Sequence, residues 1–279
     1  MTTSTIQPTS GHNPQLAEDQ ALLPAVVEAV RAAGKQMLSL FDPAARLQSY
    51  DALLSAIHAN DAASLSVLRP ALEAARPGAG WVEDELESGA LPPGEWWITD
   101  PVEGNINHIH GLSDWGVTAT LLRGNRPVLT VVYLPLTGTT YSAVLGAGAY
   151  ENGVRLSPSV KTELKSAMVG TGQARPGESQ DTHRLMGLSV TAMLEHALVV
   201  RVSVPATLQL IQVAAGRMDA FWQHSQVRSG LLAGALLVAE AGGPVTDMHG
   251  QPWTLESEGF LASAPALHGQ AVKVLSAIT

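Results

Sequence analysis

The chain has 279 residues, 46% of them hydrophobic, and a formal net charge of −9 at neutral pH. That is enough apolar material for one large domain or two modest ones, and its 16 Lys and Arg, spread without a run, argue against a nucleic-acid-binding face. The absence of cysteine excludes disulfides, thiolate catalysis and Cys-ligated metal sites, and fits a reducing compartment.

Met1 to His12 is polar, with neither a basic patch nor an apolar leader core, so residues 1–14 read as a disordered lead-in. No apolar stretch approaches the ~18 residues of a membrane span, and a cytoplasmic location is the expectation. Gln15 to Leu40 reads as a helix on the spacing of Leu22, Leu23, Val26, Val27, Val30, Ala33 and Met37. A second helix is expected from Asp61 to Ala75, kinked or split by Pro70. A short strand at residues 80–82 precedes the acids Glu83, Asp84 and Glu85, and a loop follows to Glu95.

Strands are expected at Trp96–Thr99, Trp115–Leu122, Pro127–Tyr133 and Thr139–Val144, with hairpin chemistry in Arg123-Gly124-Asn125-Arg126 and at Asn152-Gly153. After Pro158 the pattern becomes alternating. Strands are expected at 167–171, 197–202 and 220–222. Helices are expected at 183–194, 206–216 and 231–241, the last capped by Gly242-Gly243. This divides the chain into an N-terminal α+β half, residues 15–156, and a C-terminal α/β half, residues 157–279.

The most informative stretch is Trp97 to Asn107. An apolar run ends in two acids, Asp100 and Glu103, three residues apart around Pro101 and followed by Gly104. Two carboxylates converging with the Val102 backbone carbonyl between them suit a hard divalent cation such as Mg²⁺. A turn with solvated acids would read the same way were it isolated.

Other elements accompany it in order. Val30-Arg31-Ala32-Ala33-Gly34, the 97–107 stretch with His110-Gly111, Val131-Val132-Tyr133, Gly146 to Gly153 and Glu240-Ala241-Gly242-Gly243 together resemble the signatures of the inositol monophosphatase family. The resemblance implies a layered αβαβα sandwich, with an antiparallel sheet in the first half, a mainly parallel one in the second, and the site between them. It also implies a homodimer and Mg²⁺-dependent hydrolysis of a small phosphate monoester.

Carried over residue by residue, the resemblance implies metal ligation by Glu83, Asp100, the Val102 carbonyl and Glu103. Catalytic candidates are Glu83, Asn105 and His224. Substrate-binding candidates are Gly104, Asn105, Arg201, Gln223 and Arg228. Several positions depart from the family pattern. Glu103 stands where aspartate is usual, which moves its oxygens by roughly a bond length. Asn105 replaces the threonine that orients the attacking water. Val204-Pro205 replaces a glycine-threonine turn, and Gln223 replaces an acid.

Counting back from Glu240, the aspartate that completes the second metal position falls on Gly230. One well-formed Mg²⁺ position and a poor second are implied, with Arg228 as a candidate substitute for the missing charge. Histidines 108 and 110 read as structural. Three activities stay open: a phosphomonoesterase; an enzyme of different acid–base chemistry on the same scaffold; and a ligand-binding pseudophosphatase.

Overall fold

A stripe of Val26, Ala29, Val30, Ala33, Gly34 and Met37 is buried along α1 (Pro14–Leu40), and Asn60, Ser64, Leu68 and Leu72 are buried along α2 (Tyr50–Ala75). Each stripe repeats at three or four residues, so each helix covers a sheet with one face. The computed structural model describes residues 14–46, 48–83, 89–174, 177–224 and 228–278.

The sheet under α1 and α2 has seven strands in sequence order: β1 (Gly80–Trp81), β2 (Glu95–Glu103), β3 (Gly116–Arg123), β4 (Arg126–Leu134), β5 (Thr139–Val144), β6 (Gly148–Glu151) and β7 (Val154–Arg155). All neighbours are antiparallel except β1 and β2. A short helix α3 (Asn105–Ile109) links β2 to β3.

The second sheet is built from β8 (Met168–Thr171), α4 (Gln180–His196), β9 (Val199–Val202), α5 (Ala206–Ala214), β10 (Ala220–Gln223), α6 (Arg228–Ala241), β11 (Val245–Thr246), β12 (Phe260–Ser263) and α7 (His268–Leu275). Its strand order is β11-β12-β10-β8-β9. Four strands share one direction and β12 opposes them.

Helices α5 and α6 lie between the sheets, and α4 and α7 cover the far face, giving five layers. The central layer is the driest. Leu210, Ile211, Leu236 and Leu237 meet Val132 and Ala143 on one side and Phe221 and Phe260 on the other. Burial of this apolar surface is the main favourable term holding the two sheets together. Polar ties supplement it. Glu240 at the end of α6 accepts from the Gly146 and Gly148 amides at 2.8 and 2.7 Å, pinning the β5–β6 turn. Arg123 grips Asp19 and Glu95, and Arg76 also binds Glu95, so four elements share one ion network.

Two elements are longer than the sequence pattern suggests. Helix α2 begins at Tyr50 rather than Asp61, because the Ser49 hydroxyl accepts from the Ala52 amide as an N-cap. It also runs through Pro70 as one helix. Strand β2 does not stop at Thr99 but continues through the acidic motif to Glu103. The register explains why. Asp100 faces Thr118 and Glu103 faces Gly116, so three steps on β2 match two on β3. The extra residue is a β-bulge, where Pro101 need not supply a ladder N–H.

Gly34 tests the packing of α1 on this sheet. A Cβ there would lie 2.4 Å from Tyr133 Cδ1 and 3.0 Å from Pro135 Cγ. Alanine improves helix propensity by ~1 kcal/mol, but the buried Tyr133 ring must then shift. Gly34→Ala should therefore show a net loss of roughly 1–2 kcal/mol in denaturant unfolding.

Candidate active site at the β2–α3 corner

The bulge gives the corner its shape. The Asp100 amide donates to Thr118 Oγ1 at 3.1 Å, and Asp100 Oδ1 accepts from the Val102 amide at 3.1 Å. The backbone then buries Val102 in the core beneath α1 and α2 and turns Glu103 toward the central helices. Gly104 follows at φ 81° and caps α3. A side chain there would meet the Asp114 carbonyl at 2.6 Å and the Pro205 ring at 3.1 Å, so the corner is held to the 204–205 turn by close contact. Asn107 Nδ2 reinforces this by donating to the carbonyls of Asp114 at 2.8 Å and Val204 at 2.9 Å.

Glu103 is 3% exposed. Its Oε2 accepts from Thr207 Oγ1 at 2.7 Å, and the same hydroxyl lies 3.0 Å from the Gly230 carbonyl. One hydroxyl proton cannot fully serve two acceptors. Loss of hydration dominates, and burial pushes the Glu103 carboxyl up to about 7 despite the Thr207 bond, which works the other way.

Asn105 is turned away from this junction toward α2. Its Oδ1 accepts from Asn60 Nδ2 at 2.9 Å, and its Nδ2 donates to Asp61 Oδ1 at 2.8 Å and the Ile57 carbonyl at 3.2 Å. Asn60 Nδ2 also reaches His108 Nδ1 at 3.0 Å, while His108 Nε2 lies 3.1 Å from the Met37 carbonyl. An amide donor at Nδ1 leaves Nε2–H as the proton-bearing nitrogen, so this imidazole is neutral. Burial lowers its basicity in agreement. The ring is wedged between Phe41 and Trp115. Burial also raises the Asp61 carboxyl, against the opposing Asn105 bond.

Asn60 and Asp61 are participants that the motif reading missed. Their signal was a buried stripe on α2 that begins polar, Asn60 and Ser64, before it becomes Leu68 and Leu72. Ser64 uses that position to donate to the Pro101 carbonyl at 2.6 Å.

The other expected residues are dispersed. Both Glu83 carboxylate oxygens bind Arg69, at 2.9 and 3.0 Å, and its side chain is 73% exposed. Among the described residues, no three His, Cys, Asp or Glu side chains converge on a point that could hold a metal ion. The expectation that Glu83, Asp100 and Glu103 form one acidic cage is therefore not met here. Arg69 neutralises the first, and the third is directed into the central layer.

Gln223 ends β10, buried, with its Oε1 filling the space beside Gly172. His224 follows it. Its Nε2 is buried without a hydrogen-bond partner among the described residues, and burial lowers its basicity. Arg201 is exposed on the edge strand β9 and lines a separate cavity. The side chain of Arg228 lies outside the described residues, although its backbone begins α6.

A five-layer α/β sandwich with an acidic strand end opposite the central helices is the architecture of a class of small-molecule phosphatases. The model of the inositol monophosphatase family matches residues 18–279, and the chain belongs to that family. It is 34% identical over 239 residues to an inositol-1-monophosphatase of Rhizobium meliloti, covering 85% of this chain and 89% of that one. It is also 34% identical over 212 residues to a protein named putative Nus factor SuhB in Neisseria meningitidis serogroup A, covering 76% and 80%. The inositol monophosphatase structure from Anabaena superposes with a TM-score of 0.77 at 24% identity, covering 94% of this chain and 97% of that one, and matches the fold. The relatives named as inositol monophosphatases support phosphomonoesterase activity for this chain. The family is in general metal-dependent. Among the described residues, no helix is long and apolar enough to cross a membrane.

The Glu103 environment gives a signed pH effect in the absence of divalent ions. The group ionises near 4.5 when free and near 7 in the fold, so between those values the folded chain holds more protons than the unfolded one. Stability is then fully present below 4.5 and falls as pH rises toward 7. Glu103→Gln keeps a neutral side chain at all pH values. In chelator, its unfolding free energy should match the parent in acid and exceed it by up to roughly 3 kcal/mol above neutrality.

Proposed function

We propose that the chain hydrolyses a small phosphate monoester, of the inositol-, sugar- or nucleotide-phosphate kind, using one divalent cation, Mg²⁺, in place of a full pair. The observation that carries this reading is the corner itself. Asp100 and the Val102 carbonyl are adjacent at the bulge, while Glu103 is drawn off to Thr207 and Gly230 offers no carboxylate.

The donors fit one cation and do not fit two. Asp100 and the Val102 carbonyl are hard oxygen ligands of the type Mg²⁺ takes. Glu83 can join them by exchanging its Arg69 contact, because an exposed ion pair of that kind is worth only ~0–1 kcal/mol. A buried carboxyl committed to a hydroxyl is a poor ligand for a second ion. When bound, such a cation neutralises phosphoryl oxygens and makes a bound water more acidic. The chain's own contribution is positional. The bulge fixes Asp100, Gly104 lets the backbone turn closely past Pro205, and the Asn105 amide donates a hydrogen bond to Asp61 that orients that carboxylate at the corner.

A second reading, acid–base chemistry on the same scaffold without a cation, is favoured by one feature. Glu103 titrates near neutrality in a dry site, where a carboxyl can donate or accept a proton. Chelation separates the two readings.

Purified protein with excess Mg²⁺ should release inorganic phosphate from a monoester panel. Asp100→Asn should cut that release at least about 100-fold. Activity that survives both chelation and Asp100→Asn would establish the second reading instead. Gly230→Asp restores a carboxylate opposite Glu103. Calorimetric titration should then rise from one bound ion per chain toward two, with faster phosphate release.

A further inference from the structure

The buried ring of His108 begins a hydrogen-bond chain that ends on backbone carbonyls at both sides. Met37 lies in the last turn of α1, where carbonyls lack an intrahelical donor, and its oxygen stands 3.1 Å from His108 Nε2. A carbonyl only accepts, so Nε2 carries the proton and Nδ1 of the neutral ring is an acceptor. Asn60 must then turn its Nδ2 toward the ring, 3.0 Å away. The second proton of that group goes to Asn105 Oδ1 at 2.9 Å. Asn105 in turn donates, to Asp61 Oδ1 at 2.8 Å and to the Ile57 carbonyl at 3.2 Å.

Ile57, Asn60 and Asp61 stand at i, i+3 and i+4 on one face of α2, so one helix supplies three of the partners. His108 meets them from α3, with Phe41 and Trp115 fixing its plane at ring-centroid distances of 5.4 and 4.7 Å. Each link holds in one direction only. Moving the ring proton to Nδ1 sets two N–H groups against each other and leaves the Met37 carbonyl facing a lone pair. Turning the Asn60 amide over to relieve this brings two oxygens together at Asn105. Turning Asn105 over as well sets its oxygen against the Asp61 carboxylate and the Ile57 carbonyl. The two ends of an amide have nearly the same shape, so packing does not choose between them and the hydrogen-bond chain must.

We propose that His108 and Asn60 are positioning residues for the corner. The tautomer of His108, passed on through the Asn60 amide, sets which end of Asn105 faces Asp61 and so holds that carboxylate in place. His108 is buried and acts only through Asn60, Asn105 and Asp61. Its effect on rate rests on the hydrolase reading, whereas the hydrogen-bond chain stands without it.

Two substitutions separate positioning from mere support. His108→Phe keeps an aromatic ring between Phe41 and Trp115 but offers Asn60 no acceptor. His108→Asn gives up the ring but returns an acceptor oxygen near the place of Nδ1. In denaturant unfolding the Phe variant should be the more stable of the two. On the monoester that the wild type hydrolyses fastest, the order should reverse. There His108→Phe should lower kcat about tenfold, the worth of one hydrogen bond, with KM changed less than about twofold, and His108→Asn should recover part of the loss. Rates that follow stability, with the Asn variant the slower, overturn the positioning role.

NMR in chelator reads the chain without turnover. Imidazole ¹⁵N shifts should place the His108 proton on Nε2 at neutral pH. The Asp61 carboxyl, followed by ¹³C, should titrate about one pH unit higher in His108→Phe than in the wild type, because the Asn105 bond that favours its ionised form is loosened. A proton on Nδ1, or an Asp61 midpoint that ignores His108→Phe, overturns the proposal. If the wild type hydrolyses no monoester, the hydrolase reading fails, while an Nε2 proton and a shifted Asp61 midpoint still uphold the chain from His108 to Asp61.

Discussion

The structure turns on where one carboxyl goes. Glu103 leaves the end of a strand and enters the dry layer between the sheets, where a hydroxyl from α5 is its hydrogen-bond partner and the first turn of α6 lies alongside. Glu103 is buried there, so charge is costly and the group favours its neutral form. That placement ties the strand end to both central helices, through the Thr207 hydroxyl on α5 and its contact with the Gly230 carbonyl on α6. An aspartate would be shorter by one methylene and less able to span the gap to Thr207. The extra length of Glu103 and the missing side chain at Gly230 therefore belong to one arrangement.

The family relatives frame this arrangement without deciding it. Membership over residues 18–279 brings an expectation of phosphate-ester chemistry and metal dependence. In this structure Glu83 pairs with Arg69, Glu103 with Thr207, and Asn105 faces α2. Each of these contacts commits a polar side chain to a partner within the chain. The proposed single-cation mechanism follows from that balance of donors rather than from the family likeness.

Much of the architecture was legible in the residues. The spacing of Val26, Val30, Ala33 and Met37 located α1, and the apolar runs separated by Gly-Asn and Asn-Gly located the hairpins, because local patterning reports burial directly. The errors fell where a local rule met a longer-range partner. Pro101 looked like a strand stop, but a bulge accommodates it. The start of α2 was hidden because Ser49 is a single capping residue in a polar segment. Candidate residues were easier to nominate than to orient. Glu83 and Arg69 are fourteen positions apart and Thr207 and Glu103 more than a hundred, so their pairings exist only once the chain is folded. Asn105 could be nominated from the motif, yet both ends of its amide are taken by α2.

The clasp that Glu240 makes on two glycine amides explains how a signature can be kept in part. Its carboxylate closes a turn of the other sheet and takes no part in the corner. Ten residues earlier on the same helix, Gly230 bears no acid at all. The end of α6 thus works as joinery between the sheets, independently of what its first turn carries. A substitution in that first turn would leave the frame around it free to assemble, because the clasp sits about three turns away on the same helix.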